Sequence, residues 1–187
     1  MSFAQNWTTE VISAMPLVLP ARYFTYPMRV AGEESALARG ALLLMVKPEQ
    51  GVSFLAICAR GFRSESMPTG VFACPNPQEM CAVAGGYAYL VNMNTPERCT
   101  QIGLKPVVSV LVSEARRLLI FVGFHSIVAW GAAGLAWETA KLSWEGVRIV
   151  ELGDETLVGF GWDLMTDQEV EFRVDLRTGL HEGGIVR

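Results

Sequence analysis

Charged side chains are scarce in this chain. Asp, Glu, Lys and Arg make up 18% of its 187 residues, against roughly 25% in an average globular protein. The formal net charge is −4, and the basic residues are scattered. Binding a phosphate backbone needs clustered Lys and Arg, so we expect no nucleic-acid partner. The hydrophobic content of 51% argues against disorder and leaves apolar surface for a protein or small-molecule partner. It also leaves homo-oligomerisation open.

The sequence also lacks an export signal and a zinc-binding motif. Its start, MSFAQNWTTE, has no basic stretch followed by an apolar run, which a signal peptide requires. We therefore expect a cytoplasmic protein whose four cysteines are reduced thiols: Cys58, Cys74, Cys81 and Cys99. A disulfide between Cys74 and Cys81 is a minor alternative. Their Cys-x6-Cys spacing is not the close pair that zinc sites use, so we expect no metal and no cofactor.

A long uncharged run at residues 118–137 is a transmembrane candidate by hydropathy alone. Gly123, Gly131 and Gly134 divide it at the spacing of hairpin turns. Its β-branched and aromatic content suits strands. The pattern therefore favours buried strands, and no membrane span is expected.

Strand-like segments follow one another through residues 107–184, each rich in Val, Ile, Leu, Phe and Trp and bounded by turn residues. Earlier, residues 41–47 and 52–60 flank a Pro-Glu-Gln-Gly turn, which predicts another hairpin. Asn76 and Pro77 suit the start of a short helix through Ala84. We predict one all-β domain over residues 1–187, with residues 1–21 as an N-terminal arm and one or two short helices at most.

A weak internal repeat with an offset of 39 residues aligns residues 110–112 with 149–151, Leu118 with Leu157 and Phe121 with Phe160. Periods near 40 residues are typical of propeller blades. We therefore predict consecutive antiparallel hairpins in a propeller-like arrangement of about four blades or a partial propeller. A β-sandwich or barrel fits the strand spacing as an alternative.

Residues 107–184 resemble β-propeller blades of the Asp-box or WD type. Gly134 and Trp137 match the last two anchors of the Asp-box turn, Ser-x-Asp-x-Gly-x-x-Trp, whereas Trp130 and Ala132 occupy its Ser and Asp positions. The segments WETAKLSWEG and FRVDLRTG are also similar to uncharacterised bacterial proteins. These resemblances imply a blade fold and a bacterial source, and they imply no activity.

His125 lies between two predicted strands, and it is the candidate catalytic residue. A buried His beside a carboxylate acts as a general base, although a His at a hairpin bend also bonds to backbone carbonyls. Ser126 lacks the nucleophile elbow. The acidic loop from Asp163 to Glu169 lacks the EF-hand spacing for calcium. The nearby carboxylates, which are Glu138, Glu145, Asp163 and Asp175, offer a pair for glycoside hydrolysis only if the fold brings two together.

Tryptophan is the most suggestive residue type, since Trp130, Trp137 and Trp144 recur every seven residues and Trp162 follows. Polar neighbours make Trp144 the best candidate for exposure, and exposed rings stack on sugars or on a partner's apolar side chains. We predict binding residues Trp144, Trp162 and Asp163. The sequence therefore favours a non-catalytic interaction or ligand-binding module over a hydrolase or carbohydrate-active enzyme that uses His125 with nearby carboxylates.

Overall fold

Short strands separated by tight turns build the fold. The computed structural model describes residues 3–27 and 36–185, and these contain sixteen strands and one 3-10 turn (Ala36–Arg39). The chain divides into two compact units. The N-terminal unit is Ala4–Pro106, and the C-terminal unit consists of residues 107–185 with residue 3.

Two four-stranded sheets form the N-terminal unit. The first has the order β1-β3-β4-β2 and contains β1 (Trp7–Val11), β2 (Tyr23–Tyr26), β3 (Ala41–Pro48) and β4 (Phe54–Ala59). The second follows chain order and contains β5 (Gly70–Ala73), β6 (Glu79–Ala84), β7 (Tyr87–Asn92) and β8 (Cys99–Gln101). The hairpin predicted around residues 48–51 is confirmed as β3 and β4. Strand β2 is parallel to β4.

Two further four-stranded sheets form the C-terminal unit, and both are simple antiparallel meanders. One contains β9 (Val107–Ser113), β10 (Leu118–Gly123), β11 (Ile127–Gly131) and β12 (Gly134–Glu138). The other contains β13 (Val147–Leu152), β14 (Thr156–Asp163), β15 (Gln168–Asp175) and β16 (His181–Gly183). Four-stranded meanders are the unit of a propeller blade. The all-β prediction is confirmed, and the sheets are propeller-like in size and connection.

The uncharged run at residues 118–137 forms β10, β11 and β12. Within the described ranges, no helix has the length and apolar character that crossing a membrane requires. The short helix predicted from Asn76 through Ala84 is wrong, because these residues form a turn followed by β6. The Asn76 side chain accepts a hydrogen bond from the Gln78 amide at 3.1 Å. This local turn competes with helix initiation, and the strand that follows is buried along most of its length.

The predicted repeat corresponds to two hairpins. Residues 110–112 lie in β9 and residues 149–151 in β13, while Leu118 and Leu157 lie near the starts of β10 and β14. The Arg116 guanidinium also donates a 2.7 Å hydrogen bond to Glu155, a residue 39 positions later. The 39-residue offset is therefore the separation of two consecutive sheets.

Trp137 anchors the core of the C-terminal unit. Its ring is buried among Leu118, Leu157 and Phe172 of the same hydrophobic cluster. Its indole N–H donates a 2.8 Å hydrogen bond to the Leu176 carbonyl, so the polar end of the ring is satisfied inside the core. Because Trp137 belongs to β12 and Leu176 follows β15, this side chain joins the two sheets of the unit.

The segment predicted as an N-terminal arm includes β1, which pairs with β3 at the edge of the first sheet. Residues 12–22 follow it without regular secondary structure, and the side chains of Leu17 and Val18 are exposed there. The single domain over residues 1–187 stays a prediction.

Substituting Gly159 tests the packing between β13, β14 and β15. A Cβ atom at this position lies 2.6 Å from the Arg148 carbonyl oxygen and 2.6 Å from the buried Phe172 ring. We expect Gly159→Ala to lower the free energy of unfolding by about 2 kcal/mol, because overpacking of this kind costs roughly 1–3 kcal/mol. Urea denaturation followed by tryptophan fluorescence measures the change.

Gly131→Ala is the matched control, since the added Cβ meets its nearest atom at 3.7 Å. Its expected change is within about 0.5 kcal/mol. Equal unfolding midpoints for the two variants contradict the packing described here.

Candidate functional site

His125 lies in the turn between β10 and β11, and its contacts are with the backbone of residues 139–146, which link β12 to β13. The His125 carbonyl accepts a 2.7 Å hydrogen bond from the Leu142 amide. Its ring nitrogen Nδ1 lies 3.1 Å from the Ser143 carbonyl oxygen. Because a carbonyl only accepts, Nδ1 is the donor in this contact.

The buried Ser143 fixes this linker against β14. Its hydroxyl donates to the Gly146 carbonyl at 2.6 Å and accepts from the Trp162 amide at 2.8 Å. The Trp144 amide donates to the Trp162 carbonyl at 2.9 Å. Gly161 permits the approach, because a Cβ there would collide with the Leu142 carbonyl. These hydrogen bonds therefore place the backbone of Trp144 beside the backbone of Trp162.

Trp144 combines exposure with a fixed position. Its side chain is 36% exposed, while Trp130 and Trp137 are buried. The ammonium nitrogen of Lys141 lies 3.3 Å from the centroid of the Trp144 ring, which is a cation–π contact. Trp162, which belongs to β14, is half-buried. The structure thus shows Trp144 as the more exposed of the two rings.

Other large apolar side chains are exposed on the same connecting segments. Phe124 is 42% exposed beside His125, and Leu164 and Met165 are 58% and 81% exposed after Asp163. We call the residues Phe124, Trp144, Trp162, Leu164 and Met165 the loop surface. All five lie in the C-terminal unit. They belong to the β10–β11 turn, to the linker at residues 139–146, and to the end of β14 with the turn that follows it. Hydrogen bonds of His125, Ser143 and Trp162 connect these three segments.

The acidic loop does not gather its carboxylates. Asp163 is buried, and its two oxygens accept hydrogen bonds from the Met165 amide at 3.1 Å and the Thr166 hydroxyl at 2.9 Å. Glu169 forms a bidentate pair with Arg148, at 3.2 and 2.7 Å. In the part of the chain that the structure describes, no group of three His, Cys, Asp or Glu side chains is placed to hold a metal ion. Asp163 thus stabilises its own turn.

Two carboxylates proposed for glycoside hydrolysis are far apart. Asp163 pairs with Gln168 at one end of β14, and Asp175 pairs with Thr156 at the other. Seven residues of extended strand span about 23 Å, well beyond the separation of roughly 5–10 Å that the reaction uses. The Asp175 carboxylate instead accepts hydrogen bonds from the Thr178 and Arg177 amides, which lower its pKa.

Sequence reasoning missed Ser143 and Lys141. Ser143 acts through partners 3 and 19 positions away, so its role becomes visible only when the strands are paired. Lys141 carries a weak signal, because a cation three residues before an exposed Trp suits a cation–π contact.

The four cysteines lie in the N-terminal unit as free thiols, with Cys58, Cys74 and Cys81 buried and Cys99 half-buried. Burial raises the pKa of Cys58, Cys74 and Cys81. It raises the pKa of Cys99 to about 12. Since the thiolate is the reactive form, these thiols are inert at neutral pH.

Thiol titration tests that burial. At pH 8, which lies below the raised pKa values, the native protein is expected to react slowly with a disulfide reagent, Cys99 first because it is the most accessible. Urea should expose all four at once. Cys99→Ser identifies the faster phase, and rapid native reaction of the remaining three thiols contradicts the buried arrangement.

No protein-family model matches the chain, and no curated protein matches it. Among solved structures, it is similar to the crystal structure of the N-terminal domain of Nup159 at 11% sequence identity and a TM-score of 0.38. The likeness covers 97% of this chain and 50% of that chain, so the chain spans about half the length of that structure. A TM-score this low establishes neither a common fold nor a function, so the fold is assigned from the strands and sheets described above.

Removing the Ser143 hydroxyl tests the linker. Ser143→Ala leaves the Trp162 amide without its acceptor, and losing a buried partner costs about 1–3 kcal/mol. We expect a fall of that size in the free energy of unfolding and a change in tryptophan emission from the native state. Ser126→Ala, in the adjacent turn, is the control, and a change of the same size in both variants argues against a special role for Ser143.

Proposed function

We propose that this protein is a non-catalytic β module that binds a protein partner through the loop surface. The observation that carries the proposal is the exposure of the Trp144 ring at a fixed place. Its backbone is hydrogen-bonded to Trp162, and its ring contacts Lys141. Trp144 and Trp162 are the proposed contact residues. Asp163 is proposed to act by fixing the turn that carries Leu164 and Met165.

A fixed, exposed indole suits binding for an energetic reason. Ordering a mobile side chain on association costs about 0.5–1.5 kcal/mol, and Trp144 is already held. Tryptophan is also enriched among the residues that dominate interface energies. Methionine adapts its shape to irregular apolar partners, which gives Met165 a role at the rim of the same surface.

The partner that fits this surface presents apolar side chains. Phe124, Trp144 and Met165 offer rings and a thioether, and Lys141 is the adjoining cation. The same apolar surface also fits a second copy of the chain or an apolar small molecule. A cytoplasmic location is proposed from the free thiols, and a bacterial source from the resemblance of two sequence segments alone.

The alternative of a hydrolase built on His125 needs a carboxylate to orient the ring and a cleft for substrate. The His125 ring instead hydrogen-bonds to the Ser143 backbone carbonyl. A His held this way resembles a structural residue of a turn, and this contact favours the binding module.

Peptides selected from a random display library against the full-length protein test the proposal. We expect binders rich in apolar residues whose affinity falls at least tenfold, or about 1.4 kcal/mol, in Trp144→Ala and in Met165→Ala. Fluorescence anisotropy with a labelled selected peptide gives the dissociation constants, and circular dichroism checks that each variant is folded.

Leu180→Ala is the matched control, because Leu180 is exposed in the connection between β15 and β16. Selected peptides that bind Trp144→Ala and Met165→Ala as tightly as the unchanged protein would refute the loop surface as the binding site. Equal losses in Leu180→Ala would refute it as well.

A further inference from the structure

Four cations gather in the N-terminal unit, in a chain whose net charge is −4. Arg39 and Lys105 lie over the half-buried ring of Tyr87, at the start of β7, and hydrogen bonds link Arg60 and Arg63 to residues 38–39. We call Arg39, Arg60, Arg63 and Lys105 the cationic patch. These are half of the eight Lys and Arg residues between Ala4 and Pro106, so the basic charge of this unit is concentrated in one place.

The geometry of the patch centres on Tyr87. The Arg39 guanidinium carbon lies 5.9 Å, and the Lys105 ammonium nitrogen 5.2 Å, from the centroid of the ring. Phe62 packs edge-on against the same ring at 6.0 Å between centroids. A Cβ atom at Gly61 would collide with the Tyr87 ring, so the strand end at residues 60–62 can lie against it. The aromatic pair thus fixes the base of the patch.

Two arginines of the patch, Arg39 and Arg63, bind backbone carbonyls. Arg39 Nε donates to the Arg60 carbonyl at 3.2 Å, and Arg63 Nη2 donates to the Ala38 carbonyl at 2.8 Å. Among the described residues, none of the four cations forms an ion pair with a carboxylate. Glu33 and Glu34 lie outside the described residues. Carbonyl acceptors hold a guanidinium in place and leave its charge uncompensated.

We propose that the cationic patch binds an acidic segment of a protein partner, rich in Asp and Glu. The planar guanidinium forks of Arg39 and Arg63 match a carboxylate in two-pronged geometry, and Lys105 adds a point charge. Arg39, Arg63 and Lys105 are all exposed to solvent. The complementarity is electrostatic, so it governs association rate and specificity.

A peptide fits this patch better than a nucleic acid does. Phosphate-backbone binding uses an extended stripe of basic residues, whereas here two cations lie over a single ring and the other two adjoin residues 38–39. The Tyr87 ring already contacts Arg39, Lys105 and Phe62, which limits its use as a platform for stacked bases. The patch belongs to the N-terminal unit and the loop surface to the C-terminal unit.

Fluorescence anisotropy of a labelled acidic peptide, rich in Asp and Glu, against the full-length protein tests the proposal. We expect binding that weakens with added salt and is absent for the same peptide with Asn and Gln. Arg63→Ala and Lys105→Ala should each weaken binding about threefold to fivefold, the upper part of the range of single exposed charge pairs.

Lys47→Ala is the matched control, because Lys47 is exposed at the far end of β3 from Arg39. It removes the same charge and should leave the affinity unchanged. Trp144→Ala should also leave it unchanged, so this proposal and the loop surface fail independently.

Three results would overturn the proposal. Equal weakening in Lys47→Ala would mean that the peptide senses net charge only. Tighter binding of a single-stranded oligonucleotide, lost in Arg63→Ala and Lys105→Ala, would assign the patch to nucleic acid. Self-association by light scattering that these two substitutions abolish would assign it to a second copy of the chain.

Discussion

The polar backbone of residues 142–144 is the constraint on which the loop surface depends. This segment belongs to no strand, and buried N–H and C=O groups must find partners. The Leu142 amide finds the His125 carbonyl, the Leu142 carbonyl accepts from Ile185 at 3.3 Å, and the Trp144 amide finds Trp162. With these bonds made, the segment can pass over Gly161 and present the Trp144 ring at the surface.

The same bonds occupy the polar groups that a catalytic site here would use. His125 is oriented by a backbone carbonyl, and Asp163 is occupied by the amide and hydroxyl of its own turn. General base catalysis needs these groups to converge on a substrate. Here they stabilise neighbouring turns, and the same segments expose large apolar side chains such as Trp144 and Met165.

Charge divides along the chain in a way that matches two kinds of surface. Residues 107–187 carry seven basic and twelve acidic side chains, whereas Ala4–Pro106 carries eight basic and seven acidic ones. The apolar loop surface lies in the acidic part, and the cationic patch lies in the nearly neutral part. A single net charge of −4 conceals this difference, and from composition alone we expected only that no nucleic acid binds.

Local chemistry in the sequence determined the strands, because β-branched residues and turn signals act over a few positions. It placed the hairpin around residues 48–51, the repeat of 39 residues and the exposure of Trp144. It failed at residues 76–84, where Asn76 closes a turn and burial favours a strand over a helix. Only the tertiary structure decided the roles of Ser143, Lys141 and the cationic patch. Hydrogen bonds across 18 or 19 positions and cations brought together from residues 39–105 have no local pattern, since they exist only after the strands have paired.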